Sequence, residues 1–217
     1  MPVWVWTSDG ISEESLKELS DYLWDRFHGQ GSIMLIAKPE TADVLVKPFL
    51  GKSAAKQHRV CMESFENPRV IPAKNTDVSI ERPSPADKKE IAVCMANFQQ
   101  DCYGKAEDYE DFLQEAGECI ENPWFFVIKQ QESVVATAQS RRETEKHMAI
   151  NLVYTKPEYR GRGFAAALVA HISKLILERG KTPILYTDLA NPASNRAYQN
   201  VGFIKRGKVD EVTLNWN

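Results

Sequence analysis

The sequence predicts an α/β protein of the α+β type, with a mixed, mainly antiparallel sheet flanked by helices and a smaller N-terminal α/β lobe. Three observations carry that expectation. The runs "WFFVI", "SVVATAQ" and "HMAINLVY" follow one another across polar joints, which reads as an antiparallel meander. The third run then enters "TKPEYRGRG" and a long apolar-periodic stretch, which reads as strand, glycine turn and helix. Upstream, "ENPRVIPAKNT" interrupts every period with two prolines and polar residues, as a linker does. That places a boundary near residue 76, between a lobe of residues 1–75 and a main domain of residues 76–217.

In the lobe, "VWVW" reads as a strand. Ser12 caps a helix with Glu13 and Glu14 in its first turn and Leu16, Leu19, Leu23 and Phe27 on one face, stopping at Gly29. "SIMLIA", "ADVLV" and "HRVCMESF" read as further strands. In the main domain, "DVSIE" is a strand, after which Ser84 and Pro85 open a helix whose apolar face is Ile91, Cys94, Met95 and Phe98. Tyr109, Phe112, Leu113, Ala116 and Ile120 give a second helix, ended by "ENP". After the meander, with "SRRETEK" as a loop, come a helix from about Phe164 to Glu178 and the strand "PILYTD". A turn "LANPAS", a short helix around Asn195 to Asn200 and a last strand after "GF" complete the chain.

At 217 residues and 43% hydrophobic content, the chain can bury a sizeable core. No apolar run reaches the roughly 18 residues of a spanning helix, and the first residues lack the basic-then-apolar order of a secretory signal, so the cytoplasm is the expected compartment. Cys61, Cys94, Cys102 and Cys119 match neither a zinc site nor a redox pair, so no metal is expected. The net charge of −3, with no basic tract interleaved with aromatics, argues against a nucleic-acid partner.

The glycine turn is the first functional signal. A helix start exposes four backbone N–H groups without intrahelical partners and carries partial positive charge, so it suits an anion. Gly161 and Gly163 let a ligand approach the backbone, while Arg160 and Arg162 add charge at the same end. A phosphate or pyrophosphate is the natural guest.

Two spaced motifs here resemble the Gcn5-related N-acetyltransferase (GNAT) superfamily. Its acyl-CoA signature is Arg or Gln, two residues, Gly, one residue, then Gly or Ala; the sequence reads Arg160-x-x-Gly163-x-Ala165 after a strand and a proline-bearing turn. Its second motif appears in "NPASNRAYQNVGF" as Asn191, Ser194, Tyr198, Gly202 and Phe203. The wording looks especially like bacterial members with an extra N-terminal region, and residues 1–75 read as a lobe of open role, a degenerate GNAT half among the alternatives.

The resemblance implies a GNAT-like sheet and an enzyme that moves an acetyl group from acetyl-CoA to an amine by direct attack. Acetyl-CoA is then the acyl donor, and a small-molecule or peptide amine the other partner. By the same resemblance, Arg160 to Ala165, Phe164 included, hold the pyrophosphate. The pantetheine arm lies along Leu152, Val153 and Tyr154, and Asn191 and Ser194 contact the cofactor. Tyr198 stands where the family keeps its general acid. His147 opens the strand at a position where some protein acetyltransferases carry a catalytic Glu, and is the catalytic base candidate. A homodimer stays open, as does the acceptor. Two other readings remain in play: a non-catalytic acyl-CoA sensor, and a nicotinamide dinucleotide-binding oxidoreductase in which Gly161-x-Gly163-x-x-Ala166 serves as the fingerprint and Asp188 binds the ribose.

Overall fold

The structure is a computed structural model that describes residues 2–8, 10–52, 56–74 and 78–216, so the expected boundary at residue 76 lies outside the described residues. By internal contacts the chain divides into two compact units. The first is Met1–Ser64 with Tyr186–Asn191 and Arg206–Asn217; the second is Phe65–Leu185 with Pro192–Lys205.

The first unit contains β1 (Val3–Val5), α1 (Glu13–Phe27), β2 (Ser32–Ala37), α2 (Pro39–Lys52) and all but the last two residues of β3 (Lys56–Glu66), and it claims most of the last strand, β9 (Ile204–Asn215). Ser12 caps α1 as its sequence suggests, its hydroxyl accepting the Ser15 N–H at 3.1 Å. The helix runs on through a 3-10 turn, His28–Gln30, and it is Gly31 rather than Gly29 that takes the left-handed conformation, φ 74°. "ADVLV" is helical, not a strand. Pro39 and Glu40 open α2, and Ala42, Leu45, Val46 and Phe49 then bury one helical stripe, so period 3.6 prevails over the β-branched composition of a short run. Ser20 Oγ donates to Leu45 O at 2.7 Å, tying α1 to α2. β2 pairs in parallel with β1 and antiparallel with β9, with Leu35 opposite Val212 and Ile33 opposite Leu214. These residues share one core with Leu23, Leu45 and Phe49.

The second unit carries the meander. Its elements are β4 (Ile80–Glu81), α3 (Lys88–Tyr103), α4 (Leu113–Glu121), β5 (Phe125–Gln130), β6 (Ser133–Glu143), β7 (His147–Thr155), α5 (Phe164–Glu178) and α6 (Pro192–Asn200). β8 (Thr182–Asp188) starts here and ends in the first unit. Among the described residues, nine strands form a mostly antiparallel sheet in the order β1-β2-β9-β3-β8-β7-β6-β5-β4. The unbroken apolar run of β5 has a physical reason, since both of its faces are covered. Phe125 and Val127 pack with Ile91, Met95 and Phe112 of the α3 side, whereas Phe126 and Ile128 pack with Leu168, Ile172 and Ile176 of α5. "SRRETEK" is only partly a loop: β6 extends to Glu143, and Thr144 closes the hairpin by donating its N–H to His147 O at 2.8 Å. α6 begins at Pro192, ahead of the expected Asn195, because proline suits a first helical turn.

The expected linker has no helix or strand over residues 67–74, yet it is held down. Asn67, fully buried, donates Nδ2 to Val201 O at 2.9 Å and accepts the Arg69 N–H at 3.1 Å. The Ile71 N–H reaches the same Val201 carbonyl at 3.0 Å. This crossing explains the glycine of the second motif: a Cβ on Gly202, φ 103°, would lie 2.3 Å from Arg69 O and 3.0 Å from Asn67 Oδ1. Gly202→Ala is therefore expected to cost about 2–4 kcal/mol, from backbone strain plus overpacking. Urea denaturation measures it, and a midpoint equal to the parent's would refute the account.

Candidate active site

The site is built on β7. Its parallel pairing with β8 covers His147, Met148 and Ala149 and stops there, while its antiparallel pairing with β6 continues to Thr155. From Ile150 onward, among the described residues, the edge of β7 away from β6 carries no strand partner. On the paired side the register shifts between Thr137 and Gln139, so that Ala138 faces an extra residue of β7. The bulge centres on Leu152, at φ 50°, a conformation that costs a bulky side chain about 1–3 kcal/mol. Thr137, buried, answers it by donating Oγ1 to Leu152 O at 3.2 Å. A bulge re-aims the peptide groups that follow it. Leu152, Val153 and Tyr154 thus lie on a segment of β7 that, among the described residues, has no strand partner on the side away from β6.

After β7 a 3-10 turn, Pro157–Tyr159, leads to Arg160, and Gly161 and Gly163 both adopt positive φ, 76° and 82°. Gly163 is the N-cap of α5 and provides no side-chain cap, so the cap leaves the first amides of α5, Phe164 and Ala165 among them, open to a ligand. The arginines brace this turn. Arg160 donates Nε to Thr155 O at 3.0 Å, pairs with Asp101 of α3, and lies over the Tyr154 ring at 5.7 Å. Arg162 lies over Tyr159 at 5.1 Å and donates to Glu158 O at 3.3 Å. Asp101 and Thr137 are the residues sequence reasoning missed. The partner of Arg160 is 59 residues away, and the only signal for Thr137 was its place in the strand beside β7.

Tyr198 sits on α6, buried in the same core as Phe203, their rings 6.2 Å apart. Burial pushes its phenol up to about 12, against a hydrogen bond from Ser194, one turn earlier, that pulls the other way. Ser194 is therefore a partner of Tyr198 in this state. Asn191 closes the turn after β8, its N–H donating to Asp188 O at 3.0 Å. His147, half-buried, opens β7 and donates its N–H to Thr144 Oγ1 at 3.0 Å. It lies five residues before Leu152, about 17 Å along a strand.

Several acids here are held neutral. Burial raises Tyr198 and Tyr154 to about 12, Cys94 to about 12 and Cys119 to about 11. Their folded values exceed the unfolded ones, so between the two the folded state binds more protons. The stability this brings is intact below about pH 8.5 and declines as pH rises toward 12. Urea midpoints are expected to fall steadily from pH 9 to 11; a flat profile would contradict the assignment.

Residues 92–203 match the acetyltransferase (GNAT) family, just over half of the chain. The chain belongs to the GNAT family. Solved GNAT structures share its fold. A protein assigned to the GNAT acetyltransferases from Novosphingobium aromaticivorans is 19% identical with a TM-score of 0.61, covering 99% of this chain and 84% of its own. A GNAT acetyltransferase from Colwellia psychrerythraea is 13% identical with a TM-score of 0.60, covering 98% and 76%. A GCN5-related N-acetyltransferase from Kribbella flavida is 18% identical with a TM-score of 0.63, covering 95% and 77%. No curated protein matches the sequence. The GNAT assignment also decides against the dinucleotide reading, whose tight turn straight off the strand is replaced here by the Pro157–Tyr159 turn. Among the described residues no helix is long and apolar enough to cross a membrane, and no disulfide joins the four cysteines.

Proposed function

We propose that this GNAT chain is an N-acetyltransferase that takes acetyl-CoA as donor and an amine as acceptor, working in the cytoplasm. One observation carries the reading: the bulged β7 strand has an open edge over Ile150 to Thr155 and leads through the Pro157–Tyr159 turn into a helix capped by bare Gly163. An amide-bearing arm pairs with such an edge as an added strand does. A pyrophosphate fits the helix start, where Gly161 and Gly163 leave room and the amides supply donors. Arg160 and Arg162 act here by shaping the turn and by their charge.

In the reaction, the amine lone pair attacks the thioester carbonyl carbon. A backbone N–H beyond the bulge, at Val153 or Tyr154, stabilises the tetrahedral oxyanion. The C–S bond then breaks and the thiolate takes a proton from Tyr198. The proton lost by the amine leaves through water, and His147 is the proposed receiver at the end of that relay, since its distance along β7 excludes direct contact with an amine at the bulge. Ser194 is proposed to hold the phenol oxygen so that the phenolic hydrogen stays aimed elsewhere.

A second reading, an acyl-CoA-binding module without turnover, draws on one fact: Tyr198 is buried and engaged with Ser194. Incubation with acetyl-CoA and a mixed amine panel, with mass detection, separates the two. An acetylated amine and stoichiometric free thiol support transfer; tight acetyl-CoA binding with no product from any amine leaves the module.

A further inference from the structure

The second unit holds a cleft at the opposite end of β7 from the glycine turn. It measures about 560 Å³ and is lined from the end of α4 by Glu118, from the joint before β5 by Asn122 and Trp124, and from the β6–β7 hairpin by Arg141 and Met148. Met148 stands four residues before Leu152, about 13 Å along a strand, so a small guest here does not reach a thioester at the bulge.

Hydrogen bonds fix the frame of the cleft. Asn122 donates Nδ2 to Gln139 Oε1 at 3.1 Å and to Ser140 O at 3.3 Å, and its Oδ1 accepts the Trp124 N–H at 3.0 Å. The Ser140 N–H in turn donates to Trp124 O at 3.0 Å. Beside this frame the β6–β7 register shifts between Arg141 and Glu143, and Arg142 takes φ 57°, a conformation that non-glycine residues rarely keep without a reason.

The charges on the lining are unevenly matched. Glu143 is held by two cations, Arg179 at 3.3 Å and Lys181 at 2.6 Å. Arg141, half-buried, has only neutral partners: its Nε donates to Gln139 Oε1 at 3.1 Å and its Nη2 to Cys119 Sγ at 3.8 Å, where burial pushes the thiol up to about 11. Among the described residues no carboxylate pairs with it. Two of its five N–H donors are thus used, and the Nη1 donors are not.

We propose that this cleft is a binding site for a small monocarboxylate with an apolar body. A guanidinium fork matches a carboxylate in shape and charge, while the Trp124 ring and Met148 offer apolar surface to the rest of the guest. Glu118 and Glu143 on the same lining oppose a second negative charge, which disfavours phosphates and dicarboxylates. The fixed frame lowers the ordering cost of binding. The site is defined by binding alone, so it stands apart from the acetyl-transfer reading.

The test is a calorimetric titration of the whole chain, without acetyl-CoA, with 3-phenylpropionate and with L-phenylalanine; 3-phenylpropanol is the neutral control. Saturable binding is expected, about tenfold or more weaker for the alcohol and about tenfold or more weaker in Arg141→Gln, as for loss of a charged hydrogen-bond partner. Tighter binding of the first probe assigns a plain carboxylic acid, and of the second an amino acid whose ammonium meets Glu118. Glu118→Gln, on an exposed position of α4, serves if the Arg141 variant does not fold: removing its charge should tighten 3-phenylpropionate by roughly twofold. The proposal is overturned if the parent protein shows no saturation, if the alcohol binds equally well, if folded Arg141→Gln keeps parental affinity, or if Glu118→Gln leaves 3-phenylpropionate binding unchanged.

Discussion

Gly163→Asp is expected to weaken acetyl-CoA binding by about 200- to 2,000-fold. The estimate has two parts that can be measured apart. A carboxylate held about 5 Å from a pyrophosphate, at an effective dielectric near 20, repels each negative charge by roughly 3 kcal/mol, or about 200-fold. In addition, the left-handed backbone at Gly163 costs any side chain about 1–2 kcal/mol, least for Asp and Asn. Gly163→Asn has the same shape and the same backbone cost without the charge, so its loss in calorimetric titration reports strain and bulk, expected at tenfold or less. The difference between Asp and Asn is then electrostatic, and it should shrink as salt is raised toward 1 M, where the Debye length falls to about 3 Å. Equal affinities for the two variants would mean that no phosphate group lies at this helix start.

How much of this site could be read in advance depends on how local its causes are. The bounds of α5 were legible because Gly163 and the apolar period of "FAAALVAHISKLILE" both act within one helix. The α2 helix was misread because five residues, "ADVLV", are too short a window to separate period 2 from period 3.6. Extending the view from Pro39 to Phe49 gives the helical stripe. Tyr198 was legible as a motif position but not as a buried phenol with Ser194 beside it. Non-local facts were closed to sequence. Nothing around Asn67 announces that its side chain meets Val201, 134 residues on, and that crossing is what makes Gly202 a glycine. The Leu152 bulge depends on the register of β6, which is decided by pairing rather than by the β7 residues alone. Likewise the final strand pairs with β2, near the start of the chain, a connection no spacing reveals.

Tyr198→Phe should lower the turnover number by roughly 10- to 10,000-fold while acetyl-CoA affinity changes little. The structure narrows where in that range the value falls. A phenol at about 12 facing a thiolate whose ordinary value is near 8.5 must give up its proton uphill, by roughly 4–5 kcal/mol at 1.36 kcal/mol per pH unit. The proton therefore follows C–S cleavage rather than driving it, and the phenol lowers the barrier chiefly by donating a hydrogen bond to sulfur as charge builds there. Losing a charge-assisted hydrogen bond of about 1.5–3 kcal/mol corresponds to about 10- to 150-fold, the lower part of the range. The pH profile supplies an independent check. With its value raised, the phenol stays protonated across the working range, so the parent rate should show no falling limb from Tyr198 below about pH 11. The Phe variant retains the ring beside Phe203 and should lose only about 1 kcal/mol of stability. A variant that melts earlier but turns over like the parent, measured by rapid-mixing kinetics of the chemical step, would reduce Tyr198 to a packing residue and leave solvent to protonate the thiolate.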